Sequence, residues 1–235
     1  MAINFYLAMM AEEISNYASF PENTAFIYCP FDAKADISRD IPPDVILVLT
    51  DSSPVKPELA EPVAHWIRRS CCKAVLLDFQ LPEQKNSGLF ARNLQQMLTC
   101  PVVISECYAS DLDCPVFLSP LPHHRALQDH IAPWAGREIW LDIHPMSEQL
   151  LLTEQGAAIR TISDFYAAEH SHADSRLHCH YSIALEQNAA NFTFWRTDED
   201  WQALMEEMEQ CGIHHAIGLY QEWAKKNRPG SPERF

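Results

Sequence analysis

The chain has 235 residues, of which 47% are hydrophobic, and a formal net charge of −15. That length fits one large α/β domain or two small ones and buries about 70–75% of the unfolded surface without staples. The acidic balance argues against nucleic acid, whose phosphates need clustered Lys and Arg, and against an anionic membrane surface; it favours a neutral or cationic ligand.

The opening stretch, MAINFYLAMMAEEIS, has no basic region, and its apolar run stops at Glu12 and Glu13, so it does not read as a signal peptide. No apolar run approaches the ~20 residues needed to cross a bilayer. The eight cysteines are scattered without a CxxC pair, which predicts buried free thiols and a cytoplasmic location. Apolar runs rich in Val, Ile and Leu predict strands at Ile3–Leu7, Ala25–Cys29, Val45–Thr50, Ala74–Gln80, Val102–Glu106, Val116–Leu118, Ile139–Ile143 and Ala216–Tyr220. Such continuous runs suit strands buried on both faces of a parallel sheet. Helical spacing recurs in Pro57–Ser70, Gly88–Leu98 and Asp198–Cys211, the last with Thr197 as N-cap and Gly212 as its stop. Eight strands alternating with helices predict an α/β fold, a TIM-type (β/α)8 barrel, regular or irregular, over residues 1–235.

Between the seventh strand and the helix at Asp198 the rhythm breaks. Glu148–Thr153 and Ala158–Ser163 flank a turn signal at Glu154-Gln-Gly-Ala, and Leu177–Glu186 and Phe192–Arg196 flank another at Gln187-Asn-Ala-Ala. Two antiparallel hairpins inserted over residues 148–196 are the expectation, with a mobile polar loop at Glu169–Arg176 between them. The tail from Lys225 to Phe235 reads as flexible.

The stretch Lys73-Ala-Val-Leu-Leu-Asp-Phe-Gln80 is a buried strand ending in two polar groups. Residues two apart on a strand share a face, so Asp78 and Gln80 should lie side by side where the strand leaves the core. The strand resembles the D-x-x-D-x-D-x-E strand of glycoside hydrolase family 18, the chitinase-like barrels. The insertion after the seventh strand and the closing unit Thr197–Tyr220 extend the likeness over most of the chain. By position the motif falls on Lys73, Leu76, Asp78 and Gln80, so only its third carboxylate survives. The resemblance implies that Asp78 orients a substrate acetamide and that Gln80 stands where the family has the proton-donating Glu. Family chemistry is substrate-assisted and needs that one acid, whose loss costs about 10²–10⁴-fold in rate. The family's Gly-rich third-strand motif is replaced by Thr50-Asp-Ser-Ser53, and its sixth-strand Tyr-Asp by Phe117-Leu-Ser-Pro120.

Further candidates come from strand ends, where barrel ligands bind. Glu106 ends the fifth strand and would neighbour Asp78 if it points inward. Trp140, Asp142 and His144 alternate on the seventh strand as an aromatic wall, an acid and an imidazole. On the last strand Gly218, Tyr220 and Glu222 should share the inner face, with Ile217 and Leu219 toward the helices. Asp51 after the third strand and Tyr28 on the second complete the set. The catalytic candidates are therefore Asp78, Gln80 and Glu106, and the substrate-binding candidates Tyr28, Asp51, Trp140, Asp142, His144, Tyr220 and Glu222.

No cofactor and no metal are expected. The cluster His170, His172, His178, Cys179 and His180 has no established ligand spacing and falls in the inserted hairpins, and His123-His124 and His214-His215 read as surface positions. There is no G-x-S-x-G, no G-x-G-x-x-G and no P-loop. The expected partner is a small molecule or oligosaccharide, with no nucleic acid and no membrane. Three readings follow: a family-18-like barrel that binds a glycan or amino sugar with weak or no hydrolysis; an active glycosidase pairing Glu106 with Glu222 or Asp142; and a non-enzymatic barrel whose mouth is plugged by Trp140 and Tyr220.

Overall fold

The computed structural model describes residues 2–11, 23–29, 41–81, 84–109, 112–162, 170–186 and 188–226. Its first seven strands are β1 (Asn4–Met10), β2 (Thr24–Tyr28), β3 (Ile46–Thr50), β4 (Ala74–Asp78), β5 (Val102–Ser105), β6 (Val116–Leu118) and β7 (Ile139–Asp142). Five more follow as β8 (Ser147–Thr153), β9 (Gly156–Ile162), β10 (His172–Asp174), β11 (Cys179–Glu186) and β12 (Ala189–Trp195), and β13 (His215–Leu219) is the last. Strands β1 to β7 and β13 are all parallel and close in the order β1-β13-β7-β6-β5-β4-β3-β2. The expected barrel is thus present, and so is the inserted antiparallel sheet, ordered β10-β11-β12-β8-β9.

Strand alternation divides the apolar side chains into two layers. Inside the ring lie Tyr6, Ala8, Ala25, Ile46, Val48, Ala74, Leu76, Val103, Phe117, Trp140 and Ile217. Outside it, Phe26, Leu47, Leu49, Val75, Leu77, Ile104 and Leu141 pack under the helices α1 (Ala60–Ser70) and α2 (Gln84–Met97), which supply Val63, Trp66, Ile67, Phe90 and Leu94. Both layers are nearly free of solvent because both strand faces are covered, which is why the strands read as unbroken apolar runs.

Helix α3 (Leu127–Ile131) precedes β7, and α4 (Asp198–Gln210) leads from the insertion to β13. Thr197 caps α4 as expected: its side chain accepts from the Asp200 N–H while Asp200 accepts from the Thr197 N–H. Gly212, at φ +77°, ends that turn.

Four expectations are corrected. Strand β4 stops at Asp78, and Phe79 turns into the outer core against Phe90 at 5.7 Å. The last strand stops at Leu219, and Tyr220 opens a helix, α5 (Tyr220–Lys226), so Tyr220 and Glu222 are helical residues. Its parity is also reversed: Ile217 faces the barrel interior, and Gly218 faces outward, where an added Cβ would lie 2.2 Å from Trp223 Nε1 and 2.8 Å from the Ile143 carbonyl. The apolar Ile217 and Leu219 pattern fits either face, and only packing of Trp223 against Gly218 decides between them. Finally, part of the expected polar loop forms β10, paired with β11. Glu169 of that loop, Ser163 at the end of the predicted strand and the tail beyond residue 226 lie outside the described residues.

Two stability predictions follow. Gly218→Ala should destabilise the chain by about 1–3 kcal/mol in denaturant unfolding, because the Trp223 ring can shift but the Ile143 carbonyl is fixed in the backbone. Thr197→Ala should lose about 1 kcal/mol through the lost cap of α4, with the barrel unchanged by circular dichroism.

Candidate functional site

The C-terminal rim of the ring gathers acids because inward-facing strand residues give way to polar ones as the strands end. Asp78 closes β4 and Asp142 closes β7, each continuing the inward parity set by Leu76 and Trp140. The Gln80 side-chain amide donates to Asp78 Oδ1 at 2.5 Å, so the two groups meet as the strand pattern implied. Asp51 holds the same turn from beside it, its two carboxylate oxygens accepting from the backbone N–H of Gln80 at 2.9 Å and of Leu81 at 3.1 Å. Below the turn, the buried Tyr108 hydroxyl donates to the Leu77 carbonyl at 2.5 Å.

Burial dominates the electrostatics. It raises the Asp78 carboxyl, with the Gln80 hydrogen bond opposing and the Asp51 charge adding to the rise. It pushes Asp142 up to about 7, and the Asp78 and Glu222 charges push the same way against His144. Asp51, Asp78, Asp142 and Glu222 therefore share one field at the mouth.

Other candidates lie elsewhere. Glu106 follows the inward-facing Ser105, and its Oε1 accepts from the Ser119 N–H at 3.0 Å and the Ser119 hydroxyl at 2.5 Å. Tyr28 is in the outer layer, its ring 4.8 Å from that of Trp66. Trp140 sits inside the ring below the rim, stacked on His215 at 4.2 Å and on Tyr6 at 5.8 Å, with its Nε1 donating to Glu138 at 2.9 Å. It fills the barrel floor and makes no wall at the mouth. Tyr220, on α5, packs against the outer core and does not plug the ring.

His144 leaves β7 for a second cluster that the sequence reading missed. Its Nε2 lies 3.3 Å from Glu148 Oε1, and His123 Nδ1 lies 3.4 Å from the same oxygen. His124 Nδ1 is 3.5 Å from Glu148 Oε2, and the His123 backbone N–H donates to that oxygen at 2.8 Å. His123 was expected at the surface but is wholly buried. Burial, then the Arg196 charge, hold its imidazole down to about 3, so it is neutral. Glu148 is held below the usual carboxylate range: burial would raise it, and the two imidazoles outweigh that. The only signal in the sequence is the His144-x-x-x-Glu148 spacing across the start of β8, which has no meaning until the strand geometry is known.

The histidines that drew attention in sequence serve another purpose. His178 Nε2 contacts Glu207 Oε2 at 2.5 Å, and His180 Nδ1 contacts Asp200 Oδ2 at 2.8 Å, which ties β11 and the turn before it to α4. A polar groove of about 560 Å³ runs beside those pairs, lined by Asp129, Arg176, Glu206 and Glu207 among others, away from the barrel rim.

One face of the inserted sheet is apolar. The cross-strand register places Leu150, Phe192 and Ile183 in one row and Glu148, Phe194 and Tyr181 in the next. Phe194 stands 5.8 Å from Tyr181 and 6.2 Å from both Phe192 and His124. This aromatic row starts where Glu148 meets the rim and runs outward toward exposed hairpin tips.

No protein-family model matches the chain, and no curated protein matches it. Solved structures do. A glycoside hydrolase family 18 N-acetylglucosaminidase from Paenibacillus barengoltzii aligns with 93% of this chain and 95% of its own, at a TM-score of 0.62 and 9% identity. The spore cortex-lytic enzyme SleL of Bacillus megaterium QM B1551 aligns with 95% of this chain and 73% of its own, at a TM-score of 0.53 and 10% identity. A family 18 chitinase mutant from Cycas revoluta in complex with (GlcNAc)4 covers 91% of this chain and 94% of its own, at 0.52 and 12%. At such identities the likeness concerns the fold, and that fold is a divergent barrel of the chitinase type.

Proposed function

We propose that the barrel mouth binds a glycan or amino sugar and hydrolyses it weakly or not at all. The observation that carries this reading is the Gln80 amide seated on Asp78 at the end of β4. A carboxylate is acceptor-only, so the amide nitrogen faces Asp78 and the Gln80 carbonyl oxygen is left to accept from a ligand. The position thus offers hydrogen bonding without a transferable proton. Three further features support the reading. The fold is shared with an N-acetylglucosaminidase and a chitinase bound to (GlcNAc)4. Asp51, Asp78, Asp142 and Glu222 provide acceptors for hydroxyl and amide groups. Phe192 and Tyr181, both half-buried and backed by the buried Phe194, give an apolar wall on which a sugar ring can stack.

A second reading, a glycosidase with relocated carboxylates, is favoured by one observation: the Asp78 and Glu222 charges both raise the buried Asp142 carboxyl. That reading pairs Glu106, whose Oε1 accepts from Ser119, with Glu222 or Asp142.

Titration with chitin oligosaccharides and peptidoglycan fragments by calorimetry separates the readings. Binding without turnover is expected, and Asp78→Ala should weaken it by about tenfold or more, the loss of a charge-assisted hydrogen bond. No heat at millimolar ligand removes the sugar-binding reading. Turnover by the native chain that Asp142→Asn abolishes would establish the second one. Gln80→Glu restores an acid at the family position and should raise the rate on an amino-sugar substrate by about 10²–10⁴-fold.

A further inference from the structure

We propose that His123, His144 and Glu148 form a binding site for one divalent transition-metal ion of zinc type, at the joint between the barrel rim and the inserted sheet. This does not rest on the sugar-binding reading.

The first argument is geometric. One ligand atom from each residue lies within 4.8 Å of the other two. His123 Nδ1 and His144 Nε2 approach Glu148 Oε1 at 3.4 and 3.3 Å. A charge-assisted N–H···O bond would be shorter, about 2.7–2.9 Å. Tetrahedral zinc with bonds of about 2.0–2.2 Å instead spaces neighbouring ligand atoms about 3.3–3.5 Å apart. Both imidazole-to-carboxylate separations thus have the spacing of a coordination shell, and the two imidazole nitrogens lie within 4.8 Å of each other.

The second argument is satisfaction of buried groups. His123 is wholly buried, and neither of its ring nitrogens has a hydrogen-bond partner among the described residues. Such a buried group is destabilising unless something pairs it. A metal ion satisfies Nδ1 with a lone pair that nothing else uses. His124 Nδ1, likewise unpartnered and 3.5 Å from Glu148 Oε2, stands ready as a further donor.

Ligand type names the ion. Two imidazoles and a carboxylate suit zinc, whereas calcium and magnesium take oxygen shells. Arg196 is the opposing charge, buried and influencing both Glu148 and His123. Its guanidinium is held off by its own bonds, Nε donating to the His178 carbonyl and the plane lying over Trp201 at 5.2 Å. Asp200 also influences Arg196 and offsets it. The three ligands come from the loop after β6, the loop after β7 and strand β8, so an ion would pin the insertion to the barrel.

The test uses the full chain, stripped with chelator and dialysed against zinc. Elemental analysis should find one ion per chain, and zinc should raise the thermal midpoint by about 5 °C or more, as ligand linkage requires. His144→Ala, at a partly exposed position, should lower zinc affinity by at least about tenfold, while His172→Ala on exposed β10 should not. Cobalt substitution should give ligand-field bands without a thiolate charge-transfer band. Failure of the native chain to retain stoichiometric zinc at high micromolar concentration overturns the proposal. So does affinity unchanged in His144→Ala, or a thiolate band, which would place the ion on Cys179 or another cysteine.

Discussion

Closure of the ring is the constraint from which the rest derives. Once β1 pairs with both β2 and β13, no strand can rotate, and each residue is committed to the inside or the outside. The inside is filled to the floor by Tyr6, Trp140 and His215 stacked together. Among the described residues nothing comparable fills the top, where the inward parity of β4 and β7 delivers Asp78 and Asp142. An open sheet would leave those carboxyls hydrated and apart. In the ring burial raises both, and a neighbouring carboxylate adds to each rise, Asp51 on Asp78 and Asp78 on Asp142.

The insertion depends on that ring through a small number of polar anchors. Glu148, at the base of β8, reaches back to the His123 backbone and to three imidazoles. On the far side, His178–Glu207 and His180–Asp200 hold β11 and its preceding turn to α4. Anchored at its base and unsupported at its tips, where Leu185 is 79% exposed, the sheet projects an apolar face beside the mouth. The barrel contributes the acids and the insertion the apolar surface.

Strand content and order were legible in the sequence because both barrel layers are apolar and the runs are unbroken. The insertion was legible because its turns carry Gly and Asn. Side-chain direction was legible only where a strand carries polar residues at alternate positions. Asp78 and Gln80 qualify and were placed together. Strand β13 does not: its run is apolar on both faces, so the orientation of Gly218 depends on Trp223, which lies beyond the strand. Tyr28 lies in the outer layer for the same reason, since an aromatic fits either layer, whereas Trp140 has the inward parity its strand implies but stands at the floor, a depth that alternation does not encode. His123 and Glu148 lie 25 positions apart and meet only because two loops and a strand converge, a contact no local pattern encodes.

Gln80 looks like a lesion when set against an acid, but its surroundings are built to hold an amide. Asp51 fixes the backbone on either side of the Gln80–Leu81 peptide, and Asp78 fixes the side chain. A Glu in the same place would set a third acid beside two carboxyls that already repel, and Asp78 would lose its donor. The acid would then have to stay protonated to fit, which is what a proton donor needs and a binding group does not. With the amide, the pair is satisfied at any pH at which Asp78 is charged, and the mouth keeps its shape without a proton to exchange.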